Sequence, residues 1–420
     1  MSRVDIIAAG AAFCAIGFFT AGVARAQTAT PQPNPPPQVC INAQCVPTQP
    51  TTPTPAGSHQ IKWNPGHYMA SYGIVTGGGS STFVANEMND LNNRDAILGY
   101  RMLITWGAIE PTKGNYDFSV IDAALQRLKT QYNKPKRLVV MLVWYSPRAW
   151  SAGDGSVIPT YIQTDSSYGA SPVAGSYGWW GKSANGQSTG MYAPAVYYAP
   201  VMDRFIAAVQ ALGHHLDADP NVEGFYVQEN SAIVQAAAAF GINDPHYSDA
   251  AFLTQQERLL TAATAAFPHT SVIMANAFMA SGAASVALEQ WMAANRIAAS
   301  TADTWGQSAI TTFGTSHLSA GVQAYLGAET ADGGTTDLRP KMTAMFDVES
   351  GDMTTNYFAK WGGPYSPQDI VNALNQTFKA SHAFWTRMVG NTPAAAQWTN
   401  VAAVCAANPL LRTEYPANYP

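Results

Sequence analysis

From residue 61 onward the chain alternates short apolar, β-branched runs with amphipathic stretches, and this alternation constrains the fold more than any other feature. Strands that alternate with helices pair in parallel, because each crossover helix returns the chain to the same edge of the sheet. The runs are IKWNPGHYM (61–69), GYRMLITW (99–106), RLVVMLVW (137–144), VEGFYVQE (222–229), SVIMANAF (271–278), KMTAMFDVE (341–349) and ASHAFWTRM (380–388). Between the fifth and the last two stands a weak sixth, STADTWG (300–306), with GVQAYLG (321–327) as its rival. Eight strands, each followed by a helix, over roughly 350 residues is what an α/β fold of the (β/α)8 TIM-barrel type requires. A doubly wound open sheet is the competing architecture.

The helices announce their starts. Ser119 precedes VIDAALQRLK, with Asp122 three residues on as a capping-box partner and Ile121, Leu125 and Leu128 on one face. Ser366 and Pro367 open another, with Ile370, Leu374 and Phe378 in register. A third runs from about Asp203 through Phe205, Ile206, Val209 and Leu212 and ends before Pro220. The last carries Trp398, Val401, Ala402 and Cys405 on one stripe, which makes Cys405 a packed thiol.

Ahead of this domain the chain has a different character. Arg3 precedes a nearly continuous apolar run, and Ala24-Arg25-Ala26 forms an A-x-A pattern before Gln27, the layout of a secretory signal peptide over 1–26. Residues 27–60 are rich in Pro, Thr and Gln without hydrophobic period and are expected to be a disordered linker. The division is therefore signal, linker and a barrel over 61–420, in a secreted or periplasmic protein. Cys40 and Cys45 can close a small disulfide loop in an oxidising compartment, and the cysteines show no metal-ligand spacing.

Charged residues make up 12% of the chain and the net charge is −5, so the clustered Lys and Arg that nucleic acid demands are absent. Aromatic residues are plentiful, with 11 Trp and 19 Tyr, a surplus that serves a large core or a surface that stacks on sugar rings. Many lie in the long connection after strand three, residues 145–200, which holds Trp150, Trp179, Trp180 and seven tyrosines. Disordered segments avoid aromatics, so this aromatic-rich loop is expected to be ordered over the barrel mouth.

Catalytic groups of such barrels sit at the C-terminal tips of the strands. Strand four ends GFYVQE-Asn-Ser and strand seven ends AMFDVE-Ser-Gly, so Glu229 and Glu349 occupy matching positions. Strands four and seven of eight lie roughly across the barrel, which lets two glutamates face one another as acid/base and nucleophile on a glycosidic bond.

With these two tips, the segment WGAIEPTKGNYDFSVIDAALQRL (106–128) resembles the stretch after strand two in clan A glycoside hydrolases, where a Trp, an Ile-Glu-Pro turn and a Gly-x-Tyr piece lead into helix two. The resemblance covers most of 61–408 and is most specific at 106–128. It implies a retaining glycosidase with Glu229 as acid/base, Glu349 as nucleophile, Trp385 as a platform at the end of strand eight, and Arg101 beside the nucleophile. The family usually has Asn before the acid/base, on the sugar 2-hydroxyl; here that position is Gln228, which keeps the amide and adds a methylene. Further substrate contacts are expected from Trp106, Trp144, Trp179, Trp180, Trp305 and His382, and Tyr325 or Arg101 as a hydrogen-bond donor that keeps Glu349 ionised.

Other polar residues have plainer expectations. Glu110 in the Ile-Glu-Pro turn is structural, and Asp347 shares the inward parity of Glu349 as a buried supporting group. Asp303 is a substrate-hydroxyl contact or a strand-end cap; His67 is a candidate for the mouth, and His214 and His215 are solvated helix-end residues. No Ser-His-Asp arrangement, phosphate loop or HExxH motif occurs, and no cofactor or metal is expected. An oligo- or polysaccharide is the expected partner, with no nucleic acid and no membrane insertion after signal cleavage. Two rivals stay open: a non-catalytic carbohydrate-binding barrel, and a transglycosylase using the same glutamates.

Overall fold

The computed structural model describes residues 39–41, 44–46, 61–77, 81–144, 155–168, 194–228, 247–276, 281–301, 303–327, 336–354, 356–387 and 393–415. The chain divides into two units, Met1–Ser58 and His59–Pro420. In the first, Val39–Ile41 and Gln44–Val46 pair antiparallel, with Cys40 directly opposite Cys45.

The second unit is a barrel of eight parallel strands: β1 (Gly66–Val75), β2 (Ile97–Thr105), β3 (Arg137–Val143), β4 (Val222–Val227), β5 (Ser271–Ala275), β6 (Ile297–Ser300), β7 (Met345–Val348) and β8 (His382–Thr386). They follow one another in the order 6-5-4-3-2-1-8-7. The ring closes where the Ala299 N–H donates to the Thr343 carbonyl at 2.9 Å, making a parallel bridge between Ala299 and Ala344. Helices on the outside are α1 (Ser81–Met88), α2 (Ser119–Thr130), α3 (Ala199–Leu216), α4 (Asp249–Ala266), α5 (Gly282–Ala294), α6 (Ala320–Leu326), α7 (Pro367–Gln376) and α8 (Pro393–Ala407). Among the described residues no helix is long and apolar enough to cross a membrane.

Strand residues alternate between two apolar cores, as the pleat requires. Tyr68, Ala70, Val139, Met141, Tyr226, Ile273, Ala275, Ala298, Met345 and Phe384 fill the barrel interior. Their sequence neighbours, such as Met69, Val140, Phe225, Met274, Phe346 and Trp385, belong to the larger core shared with the helices. This two-sided burial is why β3 reads RLVVMLV with no polar alternation.

Several expectations are corrected. The first strand begins at Gly66, because residues 61–65 are engaged elsewhere: the Lys62 N–H bonds the His269 carbonyl and Asn64 bonds Glu223. The sixth strand is Ile297–Ser300, so 300–306 only touches its last residue, and 321–327 lies mostly in α6. The expected capping box at Ser119 does not form. Phe118 holds the cap position, the Asp117 carboxylate takes the Ser119 N–H at 2.9 Å, and Asp122 bonds His215 of α3 instead. At α7 the expected cap is present: Ser366 accepts from the Asp369 N–H and Pro367 opens the helix. Cys405 is free and buried in α8, where burial pushes its thiol pKa up.

Candidate active site

Parallel strands deliver all eight C-terminal tips to one end of the barrel, and the tips carry the polar residues Thr105, Gln228, Asn276, Ser300, Thr301 and Glu349. Glu349 directly follows β7 and continues the inward parity of Met345 and Asp347. It is partly exposed, in contrast to the fully enclosed strand before it.

Beneath Glu349 a polar network crosses the barrel. The Arg101 guanidinium of β2 makes a buried ion pair with Asp347, whose second oxygen accepts from the Tyr226 hydroxyl at 2.9 Å. That hydroxyl also lies 2.7 Å from Ser300 Oγ, so β2, β4, β6 and β7 are tied at one level. Burial opposes the Arg101 charge, but Asp347, Tyr226 and Glu349 together hold its pKa above the usual value. Arg101 therefore supplies a positive charge that interacts electrostatically with Glu349, while its direct partner is Asp347.

Glu349 is also held from the side. Its N–H donates to Asp352 Oδ2 at 2.9 Å, and the same oxygen takes the Thr304 N–H at 3.0 Å. The Thr304 hydroxyl in turn bonds the Asp347 carbonyl. The segment after β6 and the turn after β7 are thus one unit, and Asp303 stands at its edge, partly exposed. Sequence inspection missed Asp352, because an Asp one turn past a strand tip looks like any polar turn residue; only its complete burial distinguishes it.

Gln228, at the exit of β4, is buried, and its Oε1 accepts from the Trp144 N–H at 2.8 Å. This amide thus ties the exit of β4 to the residue after β3. Glu229, Trp179 and Trp180 lie outside the described residues. Of the long connection, residues 155–168 are described and fold against the mouth: the Ser156 carbonyl accepts from Thr105 Oγ1 at 2.6 Å and from the Gly77 N–H at 2.9 Å.

Most of the expected sugar-stacking residues are structural. Trp385 is fully buried on the outward side of β8 and donates through Nε1 to His67 Nδ1 at 3.0 Å, so neither ring face is open to a sugar. His67 in turn contacts the Asn408 carbonyl at 2.9 Å, and burial drops its pKa to about 4, away from the mouth and uncharged. Trp106 and Trp144 both pack edge-on against Phe205 of α3. Tyr325 is buried in α6 with its hydroxyl on the Phe378 carbonyl at 2.7 Å, and so is no donor to Glu349. His382 starts β8, at the opposite end from the mouth, where Nε2 lies 3.2 Å from Glu223. Trp305 follows Thr304 and is 7% exposed, edge-on to His317. Glu110 is buried and accepts from Trp106 Nε1, the Gly114 N–H and Arg204, the structural role expected of it.

No protein-family model matches the chain, and no curated protein matches it. Solved structures are similar in the path of the chain. One is described as a glycoside hydrolase, at 10% identity and a TM-score of 0.43 over 81% of this chain and 99% of that one. A β-mannanase from the blue mussel Mytilus edulis is similar at 10% identity and TM-score 0.45, over 85% and 95%. A cold-adapted β-galactosidase from Rahnella sp. R3 is similar at 11% identity and TM-score 0.48, over 83% of this chain and 57% of that one. Likeness this distant assigns no residue a role.

Proposed function

We propose that the chain is a secreted, retaining glycoside hydrolase acting on an oligo- or polysaccharide, with Glu349 as nucleophile and Glu229 as acid/base. The observation that carries this is Glu349 itself: an inward-facing carboxyl at the tip of β7, above the buried Arg101 charge and fixed through its backbone by Asp352. A nucleophilic carboxylate must stay ionised, and a nearby guanidinium favours the ionised form. Gln228 brings β4 to the same mouth three strands away, and Glu229 is the next residue.

In this mechanism Glu229 donates its proton to the glycosidic oxygen as that bond breaks, while Glu349 forms a bond to the anomeric carbon. Glu229 then takes a proton from water, whose oxygen displaces Glu349 and restores both carboxyls. Two inversions leave the anomeric configuration retained. The reaction needs no cofactor.

The test is turnover of a panel of 2,4-dinitrophenyl glycosides by wild type, E229A and E349A, with and without azide. The expected result is that azide restores dinitrophenol release in both variants, giving a glycosyl azide of retained configuration with E229A and inverted configuration with E349A. A wild-type chain that binds polysaccharide yet turns over no glycoside overturns the proposal in favour of a binding barrel.

A further inference from the structure

Asp352 presents a problem of charge. It is completely buried, in the turn directly after Glu349. One carboxyl oxygen, Oδ2, receives two backbone N–H groups, from Glu349 and Thr304; the other, Oδ1, is buried with no hydrogen-bond partner. None of the ion pairs among the described residues involves it. No three His, Cys, Asp or Glu side chains among those residues are grouped to hold a metal ion that would supply the missing charge. A carboxylate oxygen buried with no donor and no counter-ion among the described residues is costly to ionise, and the least costly remedy is a proton.

The surroundings reinforce this. The titratable groups that face Asp352 are Asp303 from the segment after β6, Glu349 from the tip of β7, and Tyr365 from the chain entering α7, whose N–H bonds the Asp352 carbonyl at 2.8 Å. Asp369 lies beyond Tyr365, and Arg101 acts on Glu349 from the barrel interior. Burial first, then the Asp303 charge, raise the Asp352 pKa well above the usual range, against the two N–H bonds and with Glu349 adding to the rise.

We propose that Asp352 is a positioning residue that works as a neutral carboxylic acid, pinning the backbones of Glu349 and Thr304 through one oxygen while placing no second negative charge behind Glu349. Ionised, it would push the Glu349 pKa up and oppose the charge a nucleophile needs. Neutral, it fixes the nucleophile's backbone and leaves Arg101 unopposed. The positioning half rests on Glu349 being the nucleophile; the protonation half does not.

The experiment has two arms, so that the two halves fail separately. In the first, denaturant unfolding of the full chain and of D352N is followed from pH 5.5 to 9. The amide mimics a protonated carboxyl. The expected result is that D352N matches wild type at pH 5.5 and falls less steeply as pH rises, because wild type alone must hold a proton there. D352N less stable than wild type by one constant margin across the range overturns the protonation. If D352N does not fold, carbon-13 carboxyl NMR of aspartate-labelled wild type decides instead: one buried aspartate still protonated above neutral pH supports the proposal, and none overturns it. In the second arm, kcat/KM is measured against pH with the best aryl glycoside. The expected result is a basic limb displaced to higher pH in D352N. A profile identical in shape to wild type, or a loss of more than about tenfold at pH 6, overturns the positioning role. If the first arm succeeds and no glycoside is turned over by wild type, the glycosidase assignment falls while the protonated Asp352 stands.

Discussion

Arg101 and Asp347 meet as an ion pair inside the barrel, and Asp347 stands two residues before Glu349 on the same inward face of β7. Both side chains are nearly inaccessible, at 3% and 5% of their surface. Removing one member of such a pair strands the other, at about 3–5 kcal/mol, whereas replacing both by apolar residues of similar size is far milder. R101M is therefore expected to lose stability of that order, and R101M/D347L to recover a large part of it. Urea unfolding of wild type and the two variants checks this. Activity discriminates further: the double variant regains stability but not turnover, since the Arg101 charge that acts on Glu349 is gone.

Glu289 of α5, which holds Asn276 just past the tip of β5, gives the chain a pH dependence of its own. It is fully buried, its one hydrogen-bond donor among the described residues is the Asn276 amide at 2.9 Å, and burial pushes its pKa up to about 8 from an ordinary 4.5. A carboxyl with a raised folded-state pKa stabilises the fold fully below its unfolded pKa. That stabilisation is lost as pH rises toward the folded value. Between pH 5 and 8 wild type should lose on the order of 1 kcal/mol per pH unit from this group. E289Q, which keeps a partner for Asn276, should flatten that part of the curve in denaturant melts at stepped pH.

The parallel strands were legible in the sequence because they are buried on both faces, and runs such as RLVVMLV read as enclosed strands of a barrel or of an open sheet alike. The sixth strand was not. Ile297–Ser300 is four residues, IAAS, and carries too little apolar surface to stand out from the helix before it. Which face a strand residue takes was the harder question. Phe384 lines the barrel interior and Trp385, one residue later, lies in the outer core, so an error of one position turns a supposed sugar platform into packing. Glu349 escaped that difficulty because its parity could be counted back through Asp347. Trp106 and Trp144 are large apolar rings at strand tips, and nothing in their spacing told of Phe205, which covers both from a helix about a hundred or sixty residues away.

Glu110 carries a second prediction about buried charge. Its carboxylate receives Trp106 Nε1 at 2.6 Å and the Gly114 N–H at 2.8 Å, and pairs with Arg204 of α3. E110A removes the carboxylate that two donors and the Arg204 guanidinium share, and is expected to cost about 3–5 kcal/mol. E110Q, which keeps one carbonyl acceptor and loses the charge, should cost less. The ordering of the thermal midpoints, wild type above E110Q above E110A, is the check; equal midpoints for E110Q and E110A would show that the charge alone matters.

Gly107 is where the long connection after β3 meets the barrel. Its N–H donates to the Val157 carbonyl at 2.8 Å, and a Cβ at this position would overlap the Gly155 carbonyl oxygen. That oxygen belongs to backbone, so relief comes only by moving the segment 155–168 away from the tips of β1 and β2, to which the Ser156 carbonyl also binds it. G107A is therefore expected to destabilise by about 1–3 kcal/mol, the cost of overpacking a close contact, and to speed proteolytic cleavage within residues 145–200 relative to the rest of the chain. If that connection helps to hold a polysaccharide at the mouth, KM for the polymer rises in G107A while kcat/KM for a small aryl glycoside, which needs only the strand tips, stays near wild type. Equal losses on both substrates would show instead that the segment supports the strand tips themselves and contributes nothing specific to a longer chain.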